Sequence, residues 1–537
     1  MLKTTVVIIG GGATGVGMLR DLSMRGVKAI LVEQRDVANG TSSRFHGLLH
    51  SGGRYAVKDP VSAEECVQEN AILRKIAKDC VESTEGLFVR LPEDDAAFEP
   101  QWVAACKQVG IPALPISTQE ALRLEPALTS QAVAVYRVPD AAIDGFRLCW
   151  QNVMSARRFG GDIRTYTEVI NIEQVNQQVV GVKIRSTLTG QIDSIACDYI
   201  VSAAGSWVDR IAALAGIKVH IKPDRGTLIA FNHRFISRVV NRLRPPGDGD
   251  IFVPHGSITI LGTTSSPAES PDDTTPRTTE ILELLRIGKA LFAELPHYRM
   301  LRAFSGTRPL YSADPEAQGR AATRNFTILD HAQDGLQGFV SIVGGKLTTY
   351  RLMAEKTSDF VCQRLGRTAD CHTADQPLID EQAAPLRAQA RRYFPAYGAD
   401  LAAARLGDDF AGVMETLRQH PEKKQLVCEC ELVTLAEVEA VAAESTTFNL
   451  GDIRRRTRMG MGTCQGVFCG LRGVGVVLKN DLTPEKEAKV LLKEFLEARW
   501  SGIRPILWGN QLREAELARG IYEATLNLDG AMRDERK

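Results

Sequence analysis

Apolar residues run without interruption from Val6 to Ile9, following Thr4 and Thr5. A short β-branched run of this kind predicts a strand, Thr4 to Ile9, buried on both faces of a parallel sheet. From Ala13 to Arg25 the spacing turns helical, with Met18, Leu19, Leu22 and Met24 available to a buried side. "KAILVE" then gives a second strand that ends at Glu33. Two later stretches carry a similar order. "YIVSAAGSWVDRIA" (199–212) reads as strand, small-residue turn and helix. "GFVSIVGGKLTTYRLMAEKTSDFV" (338–361) reads as strand, Gly344-Gly345 and a long helix. Between them, "KPDRGTLIAFN" and "DIFVPHGSITILGTTSS" alternate apolar positions and predict a mostly antiparallel sheet. Residues 371–420 are Ala- and Arg-rich with interspersed Pro, and predict a linker with short helices. The tail after Arg499, with Trp500, Trp508 and "REAELARGIYEATLNL", is amphipathic, suited to a partner surface or to its own domain.

The first strand–helix–strand unit encloses Gly10, Gly12 and Gly15 in a G-x-G-x-x-G spacing. Such glycines let the backbone approach a pyrophosphate, and the helix N-terminus at Ala13 and Thr14 faces its charge. Glu33 follows Gly15 by 18 residues, suits a ribose diol, and argues against a 2′-phosphate. The loop "RDVANGTSSRFHGLLHSGGRY" (35–55) then delays any third strand. A long Gly/Ser/Thr-rich loop suits a flavin, whose pyrophosphate and ring need further donors. A glycine-preceded helix start at Gly344-Gly345 suits negative charge on a reduced flavin ring.

Composition narrows the partners. Lys+Arg and Asp+Glu both total 65 in 537 residues, so no global field attracts nucleic acid. No stretch reaches the ~18 apolar residues of a spanning helix. The immediate entry into a strand leaves no room for a signal peptide, so a cytoplasmic location is expected. In that compartment the 11 cysteines are expected to be reduced unless they bind metal or do redox work.

Together these segments resemble the FAD-dependent oxidoreductases of the D-amino-acid oxidase and glycine oxidase superfamily, over residues 1 to about 370. "SSRFHGLLHSGGRY", "AAGSW", "SGTRPL" and "GGKLTTYRLMAE" narrow the resemblance to FAD-dependent glycerol-3-phosphate dehydrogenases. The nearest branch is that of the catalytic subunits of the anaerobic, multi-subunit bacterial enzymes. The resemblance implies that Gln34, Thr41, Ser42, Ser43, Ala204, Gly205, Trp207, Leu347 and Thr348 join the glycines and Glu33 in holding FAD. It points to Arg54, Tyr55, Arg308, Arg324 and Lys346 for glycerol 3-phosphate, a small dianion that calls for convergent cations. Hydride would pass from C2 of the substrate to the flavin, and the hydroxyl proton to a base. His50 is the candidate base and His46 the alternative; either also suits a merely structural hydrogen bond. Related aerobic enzymes carry a His after "RG[ST]", where this chain has Leu228.

The remaining chemistry is near the C-terminus. Thr434 and Glu437 form a capping box at a helix start. Cys428 and Cys430 form C-x-C, and Cys464 and Cys469 form C-x4-C. Four thiolates suit zinc or an iron–sulfur centre. The pattern resembles the bacterioferritin-associated-ferredoxin-like [2Fe–2S] domain, although many of its members close with C-x2-C. A flavin partner favours an electron carrier. Arg454, Arg455, Arg456 and Arg458 precede the third cysteine; they suit tuning of the centre, an acidic partner or a solvated face.

The expected protein is therefore α/β. A Rossmann-type FAD-binding domain with an antiparallel substrate-domain sheet (1–370) and a linker (371–420) precede a small α-rich iron–sulfur domain and tail (421–537). Partner subunits would reach a quinone and hold the chain to the cytoplasmic side of the inner membrane. Two other readings stay open: an amine or amino-acid oxidoreductase of the same fold, needing one carboxylate anchor, and a non-catalytic electron-transfer protein.

Overall fold

The computed structural model describes residues 2–311, 325–380, 384–480 and 485–528. A six-stranded sheet organises the first half, in the order Asp162–Arg164, Ala29–Val32, Val6–Ile9, Tyr199–Ser202, Phe339–Gly344, Phe326–Asp330. The first five strands are parallel and the last is antiparallel. Both faces of Val6–Ile9 are covered. Val6 and Ile8 pack towards the helices Ala13–Met24, Gly145–Arg158 and Tyr350–Arg364. Val7 and Ile9 pack against a four-stranded sheet through Ile172, Val182 and Ile195. Two-sided cover is why this strand carries no polar position.

A second sheet, of nine strands among the described residues, is antiparallel except where Val239–Arg242 lies beside Gly86–Arg90. Its spine is Lys222–Phe231, paired with Met300–Leu310 and with Ile258–Gly262. The alternation read from "KPDRGTLIAFN" does not become alternate exposure, since Asp224 to Phe231 are all buried. Ile229 and Phe231 face the helix Thr278–Gly288, while Leu228 and Ala230 face Ile260 and Leu301. Thr227 is tolerated there because its hydroxyl meets Glu280 and Ser305, each at 2.7 Å.

Residues 384–419 form three helices, Ala384–Ala390, Ala396–Leu406 and Phe410–Gln419. They are not a tether. Ala399, Ala402, Ala403 and Phe410 share one core with Val427, Val438, Ile453 and Cys469. Alanines at i, i+3 and i+4 make a flat helical face that lets a neighbour approach closely. Composition alone made this stretch look like a linker. Thr434 caps the next helix, its hydroxyl accepting from Glu437 N–H at 3.3 Å while the Glu437 carboxylate accepts from Thr434 N–H at 2.8 Å. Among the described residues no helix is long and apolar enough to cross a membrane.

Candidate active site

The carboxyl ends of the central strands open into a cavity of about 1120 Å³. Its first wall is the glycine turn. Gly10 has φ +111°, and a Cβ there would come within 2.7 Å of the Ala203 carbonyl oxygen. A Cβ on Gly15 would collide with the Gly10 carbonyl. Those two glycines serve the packing of helix on strand. Gly12, which lines the cavity as Gly10 does, differs in that a Cβ would meet only Ser42 Oγ, at 3.2 Å. Ser42 Oγ accepts from Ala13 N–H at 2.9 Å and keeps its own proton for a ligand.

Glu33 stands at the strand end, where Gly11 N–H and Arg35 N–H donate to its carboxylate at 2.7 and 2.9 Å. Burial pushes its carboxyl up, against those two donors. Each oxygen retains lone-pair capacity for a diol. The same cavity is lined by Gly10, Ala13, Thr14, Gln34, Thr41, Ala204, Gly205 and Trp207, and by Gly344, Gly345, Lys346, Leu347 and Thr348. Gly15 and Ser43 stand behind this wall, Ser43 Oγ donating to the Gly40 carbonyl at 3.3 Å. An elongated cavity with a glycine-cleared helix start and an acid at the adjacent strand end fits a dinucleotide.

The family is decided by residues 5–351, which match the FAD dependent oxidoreductase family. The chain belongs to that family. Over 537 residues it is 42% identical to an anaerobic glycerol-3-phosphate dehydrogenase subunit of Escherichia coli K12, covering 99% of this chain and 98% of the relative. It is 41% identical to the corresponding protein of Haloferax volcanii, which carries the same enzyme name, covering 98% of this chain and 91% of that one. The FAD-complexed glycerol-3-phosphate dehydrogenase of Bacillus halodurans superposes with TM-score 0.70 at 22% identity, covering 94% of this chain and 96% of the other. At that identity the likeness is one of fold.

The same cavity also takes in the candidate substrate residues. His46, His50, Arg54, Tyr55, Arg308 and Lys346 line it. The His46 and His50 rings are 5.6 Å apart, those of His50 and Tyr55 5.4 Å, and Lys346 Nζ lies 5.0 Å from the Tyr55 ring centre. His50 N–H donates to Thr348 Oγ1 at 3.2 Å, tying the long loop to the glycine-preceded turn. His46 Nδ1 accepts from Leu48 N–H at 3.1 Å. A neutral His46 then carries its proton on Nε2. Leu228 is fully buried and packs over Gly262, so that position supplies no base.

Two of the cations are already held by carboxylates. Arg54 donates to buried Asp250 at 3.2 Å. Arg308 pairs with Asp224, meets the Thr263 hydroxyl, and donates to the Thr264 carbonyl at 2.8 Å. Such partners fix the guanidinium planes before any ligand arrives. Arg324 lies outside the described residues. The sequence reading missed Arg35, Arg44, Arg210 and Asp272 in the wall, and the indole of Trp207 donating to Asp272 at 2.9 Å. Arg35 and Arg44 sit inside the flavin loop and were legible as candidates there; Asp272 carries no local motif.

Cys428 ends the short strand Leu426–Cys428, Cys430 lies in the turn that follows, Cys464 lies in a turn, and Cys469 opens the helix Cys469–Lys479. Cys428 and Cys469 are buried side by side; a hydrogen bond from Cys469 pulls the Cys428 thiol down to about 6 and pushes Cys469 up. Cys430 is exposed, 3.5 Å from the Thr463 hydroxyl, and its Cβ fills the space that a side chain on Gly462 would need. Cys464 is half-buried within electrostatic reach of Cys469. Among the described residues, however, no three His, Cys, Asp or Glu side chains converge as a ready metal cage. The donor set itself, four cysteines, fits a soft-metal centre.

The arginine run is not a solvated face. Asp36 receives Arg455 Nε and Arg456 Nη2, each at 2.8 Å. Arg458 bridges Asp144 at 3.0 Å and Glu431 at 2.9 Å, and Arg456 stacks 4.1 Å over Trp150. Tyr166 donates to Asp452 at 2.7 Å. These bonds weld the C-terminal unit to the flavin half.

Proposed function

We propose that the chain oxidises sn-glycerol 3-phosphate to dihydroxyacetone phosphate. What supports this is that Arg54, Arg308 and Lys346 line the same cavity as His50 and Tyr55, with Lys346 Nζ 5.0 Å and the His50 ring 5.4 Å from the Tyr55 ring. A single carboxylate anchor, as an amino acid needs, would not call for three cations. The relatives named glycerol-3-phosphate dehydrogenase match over nearly the whole chain.

Arg308 and Lys346 bind the phosphate, with Arg324 a further candidate, and Arg54 and Tyr55 close the pocket around the carbon chain. His50 takes the C2 hydroxyl proton as the carbonyl forms. When bound, FAD supplies the acceptor for the hydride that leaves C2. Gly10, Gly12, Ala13, Thr14, Glu33, Gln34, Thr41, Ser42, Ala204, Gly205, Trp207 and residues 344–348 would hold it, with Gly15 and Ser43 shaping the wall from behind. Cys428, Cys430, Cys464 and Cys469 carry a [2Fe–2S] centre that passes electrons to partner subunits and on to a quinone. Those partners also keep the chain at the cytoplasmic face of the membrane. The relatives are named as parts of a larger enzyme, which supports an assembly.

Anaerobic bleaching of the flavin tests the reading. Glycerol 3-phosphate should bleach it within one turnover, whereas glycerol, amines and 2-hydroxy acids should be much slower. Faster bleaching by an amine or amino acid would transfer the chain to the alternative substrate class.

A further inference from the structure

Three of the four arginines before Cys464 have carboxylate partners. Arg454 does not, and it is not alone. Arg302, from the long strand Met300–Leu310, reaches across to the cysteine unit and finds only neutral groups. Its guanidinium donates to Gln465 Oε1 and to the Ala498 carbonyl, both at 3.3 Å. It also lies against Gly502, where a Cβ would come within 2.5 Å of Nη2. Gln465 is buried and follows Cys464 directly. Arg499, on the helix Glu485–Ile503, has a buried Nε with no hydrogen-bond partner. Arg44 lines the flavin cavity, and its backbone and Cβ pack on Gly306 of the strand that carries Arg302.

Among the described residues no carboxylate pairs with Arg44, Arg302, Arg454 or Arg499. Their charges feel one another. Burial pushes Arg302 down to about 10, with Arg44 and Arg499 adding to the effect. Burial pushes Arg454 down to about 9, with Arg302 and Arg455 adding and Cys469 opposing. For Arg499 the opposing groups are Cys464 and Tyr522. A row of partly buried like charges is costly unless an anion compensates it. The cysteine unit lies at its far end, and four thiolates holding a metal centre would supply that anion.

We propose that Arg44, Arg302, Arg454 and Arg499 form the counter-charge of an anionic centre held by Cys428, Cys430, Cys464 and Cys469, and line the route from that centre to the flavin cavity. This rests on the cysteine centre proposed above. A tetrathiolate iron–sulfur centre is negative in both redox states and gains one further unit on reduction. Nearby cations therefore favour its reduced form and raise its potential. Two of the four cations come from the flavin half, so the potential is set partly by a domain that supplies no ligand.

The test uses the full-length chain, purified anaerobically, as wild type, Arg302→Gln, Arg499→Gln and Arg185→Gln. Arg185 is an exposed arginine already paired with Glu168, and controls for net charge. Iron and labile sulfide are assayed first. The midpoint potential of the centre is then measured by redox titration with electron paramagnetic resonance detection. Thermal melts are run on the loaded chain and on the chelator-stripped chain. Arg302→Gln and Arg499→Gln should each disfavour reduction about tenfold, or about 59 mV for a one-electron couple. Arg185→Gln should leave the potential unmoved. Stripped Arg302→Gln should melt no lower than stripped wild type, because like-charge repulsion has been relieved, while the loaded variant melts lower than loaded wild type. An unchanged potential in an iron-loaded variant, or equal loss of stability in loaded and stripped chains, would overturn the counter-charge and leave the cluster reading intact. Wild type without iron and sulfide would overturn the cluster reading itself, and this proposal with it.

Discussion

The turn at Gly10–Gly15 and the loop from Met459 to Cys469 are both glycine-rich, but their glycines make room for different things. In the first, Gly10 and Gly15 clear backbone from backbone, and Gly12 leaves space for a ligand. In the second, Gly460 and Gly466 clear room for the ring of Phe495, at 2.8 and 2.5 Å from an added Cβ, and Gly462 for Cys430. The flavin turn is set by hydrogen-bonded strands on either side. The cysteine loop is draped over one aromatic ring and carries two of the four sulfurs, Cys464 and Cys469. A site built from backbone groups is organised by the fold. One built from side chains needs its ligand to finish it.

The comparison breaks most sharply at Gly12. Gly12→Val should fold, keep its iron and be colourless at flavin wavelengths, since two methyl groups would occupy the phosphate space. Full yellow absorbance in that variant would remove the turn from the cofactor. The mirror experiment is Cys464→Ser. Iron and sulfide should fall to background and quinone turnover by the assembled complex should collapse, while substrate still bleaches the flavin at close to the wild-type rate. Retained quinone turnover in a cluster-free chain would show that the centre is bypassed.

A smaller effect is expected at Arg308, because only one of several cations is lost. Arg308→Ala should cost on the order of 2–5 kcal/mol in binding glycerol 3-phosphate, as removal of one member of a buried charge pair does. Flavin bleaching titrations should show glycerol hardly affected. Equal losses for both substrates would mean that Arg308 serves Asp224 alone.

The smallest effect concerns the seam between the halves. His255 Nε2 is 3.3 Å from Arg458 Nη1, and a guanidinium only donates, so His255 is held as a neutral acceptor. Burial, then Arg458, pushes its pKa below the ordinary 6.5. Below 6.5 the unfolded chain binds a proton that the folded chain does not, so stability must fall as pH drops through that value. Asp144 adds to the loss at much lower pH. Burial raises its pKa, but Arg147 and Arg458 outweigh that and hold the carboxyl below the usual range. Melting temperatures at pH 7.5 and 5.5 should converge for His255→Asn relative to wild type; an unchanged difference would clear His255 of the role.

The flavin half was legible because its signals are local. Gly10, Gly12, Gly15 and Glu33 lie within 24 residues, and each answers to one strand–helix–strand unit. Arg54, Arg308 and Lys346 were legible only through motifs, and their carboxylate partners Asp250 and Asp224 carry none. The C-terminal half hid its logic for a different reason. Arg455, Arg456 and Arg458 read as a basic face because Asp36 and Asp144, which neutralise them, lie more than 300 positions away. The alanines of 399–403 read as linker because a helix face made of small residues has no apolar stripe to notice.

Asp36 has a consequence for the birth of the molecule. It sits just past the strand that ends at Glu33, so it leaves the ribosome among the first residues of the flavin fold. Its partner Arg455 follows 419 positions later. At 5–20 residues per second that interval is on the order of 20–80 s. During it the nascent flavin half holds a carboxylate whose cations have not yet been made. The strand–helix–strand unit of the flavin fold is therefore among the last to be completed.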